Sequence, residues 1–236
     1  KRIVGFGGGR SLDVAKKVAF DTKSCLILIP TAPSHNGIVS RTASLYDGEN
    51  KKSFICEYPK EVLIPLFLWK NAKRHINAGI LDILGSITAL QDVFLANKMT
   101  EEEIRERELN LSLLGLEKVI SLKRIDDLKE ALIAHGLAMK ESSRYCSGSE
   151  HEIEKCLARV FPNYFHGGLV GIGTLIAAYI YSNLNGIFLW KCRSLLDNVM
   201  RIMKKCNVHN TINDILNDSE FLKKASTILK NVSNIR

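Results

Sequence analysis

The spacing of apolar residues changes near Trp69 to Ala72, and this change constrains the fold of the 236-residue chain more than any other feature. Before it, short apolar runs bounded by turn residues alternate with one helical stretch, a pattern typical of an α/β domain. After it, apolar residues recur with a period of about 3.6 over long segments. The sequence therefore predicts an α/β domain over 1–69, apparently truncated because Lys1 opens inside a strand-like run, and an all-helical domain over 70–236.

The elements of each part follow from these patterns. Strands are predicted over 3–6, 24–29, 42–46 and 52–57, with a further apolar run over 62–68. One helix is predicted in the α/β part, over 11–20. Helices of the second part are predicted over 75–97, 101–120, 125–140, 150–160, 167–185, 190–206 and 219–231.

Composition and charge exclude several classes of protein. Hydrophobic residues make up 46% of the chain, enough for a buried core, and no run of eighteen apolar residues predicts a membrane span. The best candidate, 167–189, is interrupted by polar residues and is interpreted as a buried helix.

The net charge is +8, but Lys and Arg are spread along the chain, which argues against a nucleic-acid partner. Six cysteines without CxxC spacing, and no signal-peptide pattern, favour reduced thiols and a cytoplasmic location.

Gly7, Gly8 and Gly9 join the first strand to the first helix, an arrangement that can bind a diphosphate. Glycines let the backbone approach the ligand, and the helix start offers free N–H groups. The GxGxxG fingerprint is absent, however, and a simple tight turn also explains three glycines. Asp13 favours the helix start in either case. The loop 31–37 follows the next strand, where open α/β sheets bind ligands, although an ordinary polar loop is an equal alternative.

Two histidines, His151 and His166, lie at the predicted starts of two helices, which can direct both imidazoles at one point. A histidine taken alone is more often a capping or core residue. Asp82 lies in an apolar helical face, where a buried carboxylate needs a cation or several donors. Asp92, ten residues later, is the competing acid of the same helix. A divalent metal would satisfy such a group of ligands.

Four motifs taken together resemble the sn-glycerol-1-phosphate dehydrogenases, of the superfamily of glycerol dehydrogenase, iron-containing alcohol dehydrogenase and dehydroquinate synthase. They are Gly-Gly-Gly-x-x-x-Asp-x-Ala-Lys over 7–16, Pro-Thr-Ala-x-Ser-His-x-Gly-Ile-x-Ser over 30–40, Ser-Ser-Arg-x-x-Ser-Gly-Ser-Glu-His over 142–151 and His-Gly-x-x-Val-Gly-x-Gly-Thr over 166–174. The motifs occur in the family's order, and Ser-Gly-Ser-Glu-His is the most specific. The resemblance implies a dehydroquinate synthase-like fold with a site in the cleft between the two parts.

The resemblance also implies a cofactor and a metal. NAD(H) or NADP(H) would bind along the glycine turn and the following loop, through Gly8, Gly9, Arg10, Ser11, Asp13, Thr31, Ser34 and Ser40. A zinc ion would be held by Asp82, His151 and His166, and Ser86, where an iron-type relative has histidine, favours zinc over iron. The strand that would read the ribose precedes Lys1, so the choice of coenzyme stays open.

The implied activity is the reduction of dihydroxyacetone phosphate to sn-glycerol 1-phosphate for archaeal ether lipids, with zinc as the Lewis acid. Besides Asp82, the implied catalytic residues are Arg144 and Lys155 for the phosphate, and Asn36 for a substrate hydroxyl or the nicotinamide. The family usually has Asp at position 36, so a catalytically decayed paralogue stays an alternative. A glycerol or other polyol dehydrogenase is the other alternative. Whether the chain forms a homo-oligomer is left open.

Overall fold

The computed structural model describes residues 1–47, 50–183 and 194–225. In the described α/β part, the strands β1 (Arg2–Gly7), β2 (Cys25–Pro30) and β5 (Glu61–Val62) form a parallel sheet in the order β1-β2-β5. The helix α1 (Gly9–Asp21) connects β1 to β2. The strands β3 (Thr42–Asp47) and β4 (Asn50–Ile55) form a separate antiparallel pair.

The turn between β1 and α1 has a backbone that only glycine adopts easily. Gly7 has a φ of +143°, a region that L side chains rarely enter, and an added Cβ would lie 2.7 Å from Ser11 Oγ. The chain therefore turns sharply from the strand into the helix. Leu12, Ala15 and Ala19 of α1 are buried, so the helix packs its apolar face against the sheet.

The helical part is organised around one long central helix, α3 (Lys73–Thr100), which follows the short helix α2 (Leu66–Trp69). The others are α4 (Glu106–Ile120), α5 (Ile125–Ala138), α6 (Ser149–Val160), α7 (His166–Asn183), α8 (Leu195–Lys205) and α9 (His209–Leu216). Among the described helices, α3 is the one long and apolar enough to cross a membrane by length and composition. Because 72% of its most apolar window is buried inside the protein, α3 serves as a core helix.

Most elements lie within a few residues of their predicted bounds, but one predicted helix start was wrong, one apolar run had been given no secondary structure, and one helix was missed. The helix expected over 101–120 begins only at Glu106, because Glu101 has a φ of 57° and ends α3. The apolar run 62–68 divides between β5 and α2, and the short helix α9 was not predicted. Parts of the helices expected over 167–185, 190–206 and 219–231 lie outside the described residues.

Candidate metal centre

Three helices bring Asp82, His151 and His166 together. Asp82 lies in the third turn of α3, His151 in the first turn of α6, and His166 at the first residue of α7. One potential ligand atom from each residue lies within 4.8 Å of the other two. Asp82 Oδ1 lies 3.3 Å from His151 Nε2 and 3.2 Å from His166 Nε2. The structure thus places the three predicted ligands in one cluster.

Close approaches between backbones make this convergence possible. A Cβ added to Gly167 would lie 1.9 Å from the carbonyl oxygen of Ala78, so glycine lets the start of α7 contact α3. A Cβ added to Gly79 would lie 2.1 Å from the carbonyl oxygen of Pro33. Glycine at 79 therefore lets the loop after β2 reach the same stretch of α3. Both contacts bring separate segments to the helix turn that carries Asp82.

The chemistry of the cluster fits a divalent metal. The side chain of Asp82 is 1% exposed, and its Oδ2 accepts a hydrogen bond from the backbone N–H of Asn36 at 2.9 Å. Within the described part of the chain, Oδ1 makes no hydrogen bond of good geometry despite its two imidazole neighbours. A buried carboxylate oxygen in that situation calls for a cation. One carboxylate and two imidazoles form a donor set that zinc accepts, with a position left for substrate.

Each imidazole also has a carboxylate at its other nitrogen. Glu150 Oε1 lies 2.7 Å from His151 Nδ1, and Glu154 Oε1 lies 2.8 Å from His166 Nδ1. Both glutamates are buried on α6, and sequence reasoning assigned neither of them a role. Glutamate on an amphipathic helix is usually solvated, but positions 150, 151 and 154 lie on one helical face. Their position on the same helical face as the candidate ligand His151 was the sequence signal that could have identified the two glutamates.

The pKa values of the cluster reflect an excess of buried negative charge. Burial by itself would raise the pKa of Asp82, but its contacts with His151 and His166 hold that pKa well below the usual value. Burial would lower the pKa of His151, yet Asp82 and Glu150 raise it to about 10. Asp82 and Glu154 likewise raise the pKa of His166 against the effect of burial. The cluster therefore attracts a cation, and a metal would bind in place of the imidazole protons.

Asp92 is not part of the cluster. It accepts a hydrogen bond from the backbone N–H of Ser149 at 2.6 Å and contacts the Tyr181 hydroxyl. A carboxylate at the start of α6 is favourable because the helix N-terminus carries partial positive charge. The two acids that the sequence left as competitors thus have different neighbours, and Asp82 is the one beside the histidines.

The predicted coenzyme residues lie in the first turns of α1 and in the loop after β2. Gly8 is the N-cap of that helix, followed by Gly9, Arg10 and Ser11 in its first turn. The backbone N–H of Thr31 donates to the carbonyl oxygen of Gly7 at 2.9 Å, which places the loop after β2 next to the glycine turn. In that loop Ser34 is half-buried and Ser40 is buried. Their roles in coenzyme binding stay predictions.

Asp13 forms a buried clamp with Lys16, which sequence reasoning did not identify. Lys16 Nζ donates to Asp13 Oδ1 at 3.0 Å and to the carbonyl oxygens of Gly37 and Thr42 at 2.7 and 2.8 Å. Asp13 Oδ2 accepts the backbone N–H of Ser44 at 3.1 Å. Lys16 is fully buried. The pair therefore connects α1 to Gly37 in the loop after β2 and to Thr42 and Ser44 in β3.

His35 connects the glycine turn to the metal cluster. Its Nδ1 accepts a hydrogen bond from the backbone N–H of Gly37 at 2.8 Å. Its ring centroid lies 6.4 Å from that of His166, and a Cβ added to Gly9 would lie 2.1 Å from its Nε2. Burial lowers the pKa of His35, so the ring is neutral near pH 7. The loop 31–40 thus spans the space between the two halves of the site.

The remaining predicted residues divide into one at the cluster and two at the surface. Asn36 is buried and contacts Asp82 through its backbone. Arg144 is exposed and pairs with Glu102. Lys155 is half-exposed and pairs with Glu152 at 2.5 Å. No described contact links Arg144 or Lys155 to the cluster, and their role in phosphate binding stays a prediction.

Comparison with known proteins first defines a class. The family model of iron-containing alcohol dehydrogenases matches residues 1–72. The crystal structure of glycerol dehydrogenase from Schizosaccharomyces pombe matches this structure with a TM-score of 0.70 at 18% identity, covering 88% of this chain and 56% of that one. This likeness shows the fold, which is that of the glycerol and iron-containing alcohol dehydrogenases, as the sequence motifs predicted.

Two curated relatives then define the family. Glycerol-1-phosphate dehydrogenase [NAD(P)+] of Metallosphaera sedula is 38% identical over 212 residues, covering 84% of this chain and 59% of the relative. The protein of the same name from Sulfolobus acidocaldarius is 34% identical over 245 residues, covering 98% and 67%. The chain belongs to the glycerol-1-phosphate dehydrogenase family, which confirms the predicted resemblance. It spans 59% and 67% of the length of these two relatives.

Proposed function

We propose that the protein is an NAD(P)-dependent, zinc-dependent dehydrogenase that reduces dihydroxyacetone phosphate to sn-glycerol 1-phosphate. The observation that carries the proposal is the cluster of Asp82, His151 and His166, whose potential ligand atoms lie within 4.8 Å of one another. Among the described residues, Asp82 Oδ1 has no well-formed hydrogen bond. Support for the substrate and the coenzyme comes from the relatives named glycerol-1-phosphate dehydrogenase [NAD(P)+].

Asp82, His151 and His166 would hold the metal. When bound, zinc supplies a Lewis acid for the substrate carbonyl, and the nicotinamide supplies the hydride. The backbone N–H of Asn36 fixes Asp82 by occupying Oδ2, which leaves Oδ1 facing the imidazoles. The metal is proposed to be zinc because Ser86, one turn after Asp82, stands where an iron-type relative has a histidine ligand. Ser86 is buried, and its hydroxyl donates to the carbonyl oxygen of Ile83.

Substrate and coenzyme would meet on the His166 side of the cluster. The side chain of His166 is 31% exposed, against 10% for His151 and 1% for Asp82. His166 is also the ligand that faces His35 and therefore the glycine turn. Ser34, in the same loop, is proposed to relay the proton: its hydroxyl donates to the substrate oxygen and takes a proton from water in turn. The Asn36 amide cannot take a proton at neutral pH, so its role would be to orient the substrate hydroxyl or the nicotinamide.

The test is turnover by the purified, zinc-loaded protein with dihydroxyacetone phosphate, dihydroxyacetone and glycerol, each with both coenzymes. We expect one zinc per chain and the highest kcat/KM with dihydroxyacetone phosphate. A preference for the unphosphorylated compounds would identify a polyol dehydrogenase instead. Inactivity that is rescued by Asn36→Asp would identify a decayed enzyme.

A cytoplasmic location belongs to the proposal and is supported by the free thiols of the five described cysteines.

A further inference from the structure

We propose that Glu150 and Glu154 are positioning residues that fix both histidines in the tautomer and orientation that present Nε2 to the metal. This inference rests on the proposed metal site. It concerns the side of each imidazole that faces away from Asp82, where the site residues predicted from the sequence include no partner.

The geometry assigns one glutamate to each ring. Glu150 and Glu154 lie four residues apart on α6, are 0% and 2% exposed, and contact Nδ1 of His151 and His166 at 2.7 and 2.8 Å. A carboxylate can only accept a hydrogen bond, so the contact of each Nδ1 with a glutamate favours the tautomer that carries the ring hydrogen on Nδ1. In a neutral imidazole the lone pair is then on Nε2, the atom that faces Asp82 in both rings.

Glu150 is itself held by two further donors. The backbone N–H of Gly148 donates to its Oε1 at 2.7 Å, and the Thr88 hydroxyl donates to its Oε2 at 2.9 Å. Thr88 is on α3, the helix that also carries Asp82. The helix α3 therefore carries one metal ligand, Asp82, and helps to orient a second ligand, His151, through Thr88 and Glu150. These contacts orient His151 without the help of a metal.

Glu154 holds His166 less strictly. The 2.8 Å contact of its Oε1 with Nδ1 falls outside good hydrogen-bond geometry, and His166 is the more exposed ring. Its orientation in the absence of metal is therefore defined less well than that of His151. We expect the loss of Glu150 to weaken metal binding more than the loss of Glu154, because the contact of Glu150 with its ring has good hydrogen-bond geometry and Glu150 is itself fixed by Gly148 and Thr88.

The first experiment needs no substitution. Nitrogen-15 NMR of the imidazoles in the zinc-loaded wild-type protein should show a protonated Nδ1 and a metal-bound Nε2 for both His151 and His166. Coordination through Nδ1 by either ring would overturn the inference for that ring's glutamate, while it would leave the metal site itself intact.

The second experiment measures zinc affinity by competition with a chromophoric chelator, without substrate or coenzyme. Glu150→Ala and Glu154→Ala should each weaken zinc binding about 10–100-fold, the range for such supporting groups. Glu150→Gln and Glu154→Gln should recover much of that loss, because the amide oxygen still accepts the Nδ1 hydrogen while the charge is gone. The matched control, Glu152→Gln, changes a mostly exposed glutamate of the same helix and should stay within about twofold of wild type.

These outcomes distinguish failure of the metal site from failure of the positioning role. Absence of zinc binding by the wild-type protein would overturn the metal site and, with it, this inference. Wild-type affinity in both alanine variants would overturn only the positioning role. Glutamine variants as weak as the alanine variants would show that the negative charge matters and that orientation does not. Should the alanine variants fail to fold, as judged by circular dichroism, the glutamine variants and the NMR experiment decide the question.

Discussion

The metal cluster and the glycine turn differ in how the fold prepares them for a ligand. At the cluster, the candidate groups are side chains of three helices, and Asp82 and His151 are buried while His166 is partly exposed. The carboxylates of Glu150 and Glu154 contact the two imidazoles from behind. At the turn, most candidate groups belong to the backbone and surface of the start of α1. The nearest buried charges, Asp13 and Lys16, are paired with each other and with the adjoining loop.

The difference follows from the chemistry of the two ligands. A metal demands several side chains at fixed distances, so the fold must orient each of them with a further layer of contacts. A diphosphate is bound by backbone N–H groups and a helix start, which any strand–turn–helix unit offers. Substitutions at the cluster should therefore affect metal and activity, whereas substitutions near the turn should affect stability and coenzyme binding.

The largest effect is expected from His151→Ala. The variant lacks one ligand and leaves Asp82 and Glu150 as buried carboxylates beside an empty space. We expect loss of the bound zinc and a fall in kcat/KM of about a thousandfold or more, equivalent to roughly 4 kcal/mol. Metal analysis and steady-state kinetics measure both quantities. Full activity in this variant would end the proposed mechanism.

Lys16→Met tests the other half of the comparison. The substitution removes the cation from a buried pair and leaves the carbonyl oxygens of Gly37 and Thr42 without their donor, which should lower the free energy of unfolding by about 3–5 kcal/mol. The folded fraction should keep its zinc. Urea denaturation gives the stability, and Lys17→Met, which changes a partly exposed pair, should cost less than about 1 kcal/mol. Zinc loss from folded Lys16→Met would contradict the separation of the two halves.

His135 makes the buried helical part sensitive to acid. Burial lowers its pKa to about 4, and its Nε2 lies 3.1 Å from the carbonyl oxygen of Ser112. His135 therefore binds a proton less readily in the folded protein than in the unfolded chain, where its pKa is near 6.5. Stability is unaffected above pH 6.5 and falls as pH decreases towards 4, by up to about 3 kcal/mol.

The measurement is the free energy of unfolding of wild type and His135→Gln against pH. The variant cannot titrate, so the difference between the two curves should shrink by about that amount between pH 7 and 4. A difference that stays constant with pH would show that His135 has an ordinary pKa in the folded protein.

The smallest effect concerns Arg144 and Lys155, which lie at the surface in pairs with Glu102 and Glu152. If either residue contacts the substrate phosphate, its change to alanine should weaken the binding of dihydroxyacetone phosphate by about 1.5–3 kcal/mol. The binding of dihydroxyacetone should be unaffected. Comparison of kcat/KM for the two substrates measures the effect, and Lys118→Ala serves as a surface control. Equal losses for both substrates would exclude these residues from the phosphate site.

The sequence predicted the parts of the site that depend on local pattern. His151 and His166 were expected at helix starts, and Asp82 in an apolar helical face, because caps and periodicity are local signals. The clamp at Lys16 was not predicted, since a lysine on a helix normally faces water and its burial depends on β3 and on the loop after β2.

The supporting glutamates were missed for a related reason. Glu154 contacts a histidine of α7, so its role depends on how two helices pack, which the sequence of α6 alone does not contain. The helix α9 was missed because it has only eight residues and contains Asn210 and Asn213, which have low helix propensity. Its stability comes from packing of Ile212 and Ile215 against the core.

The most direct test of the account is an anomalous difference map at the zinc edge, from crystals of the zinc-loaded protein. We predict one peak, with a carboxylate oxygen of Asp82 and the Nε2 atoms of His151 and His166 within about 2.0–2.2 Å of it. A zinc ion bound elsewhere, or an Asp82 carboxylate turned away from both imidazoles, would contradict the proposed metal centre.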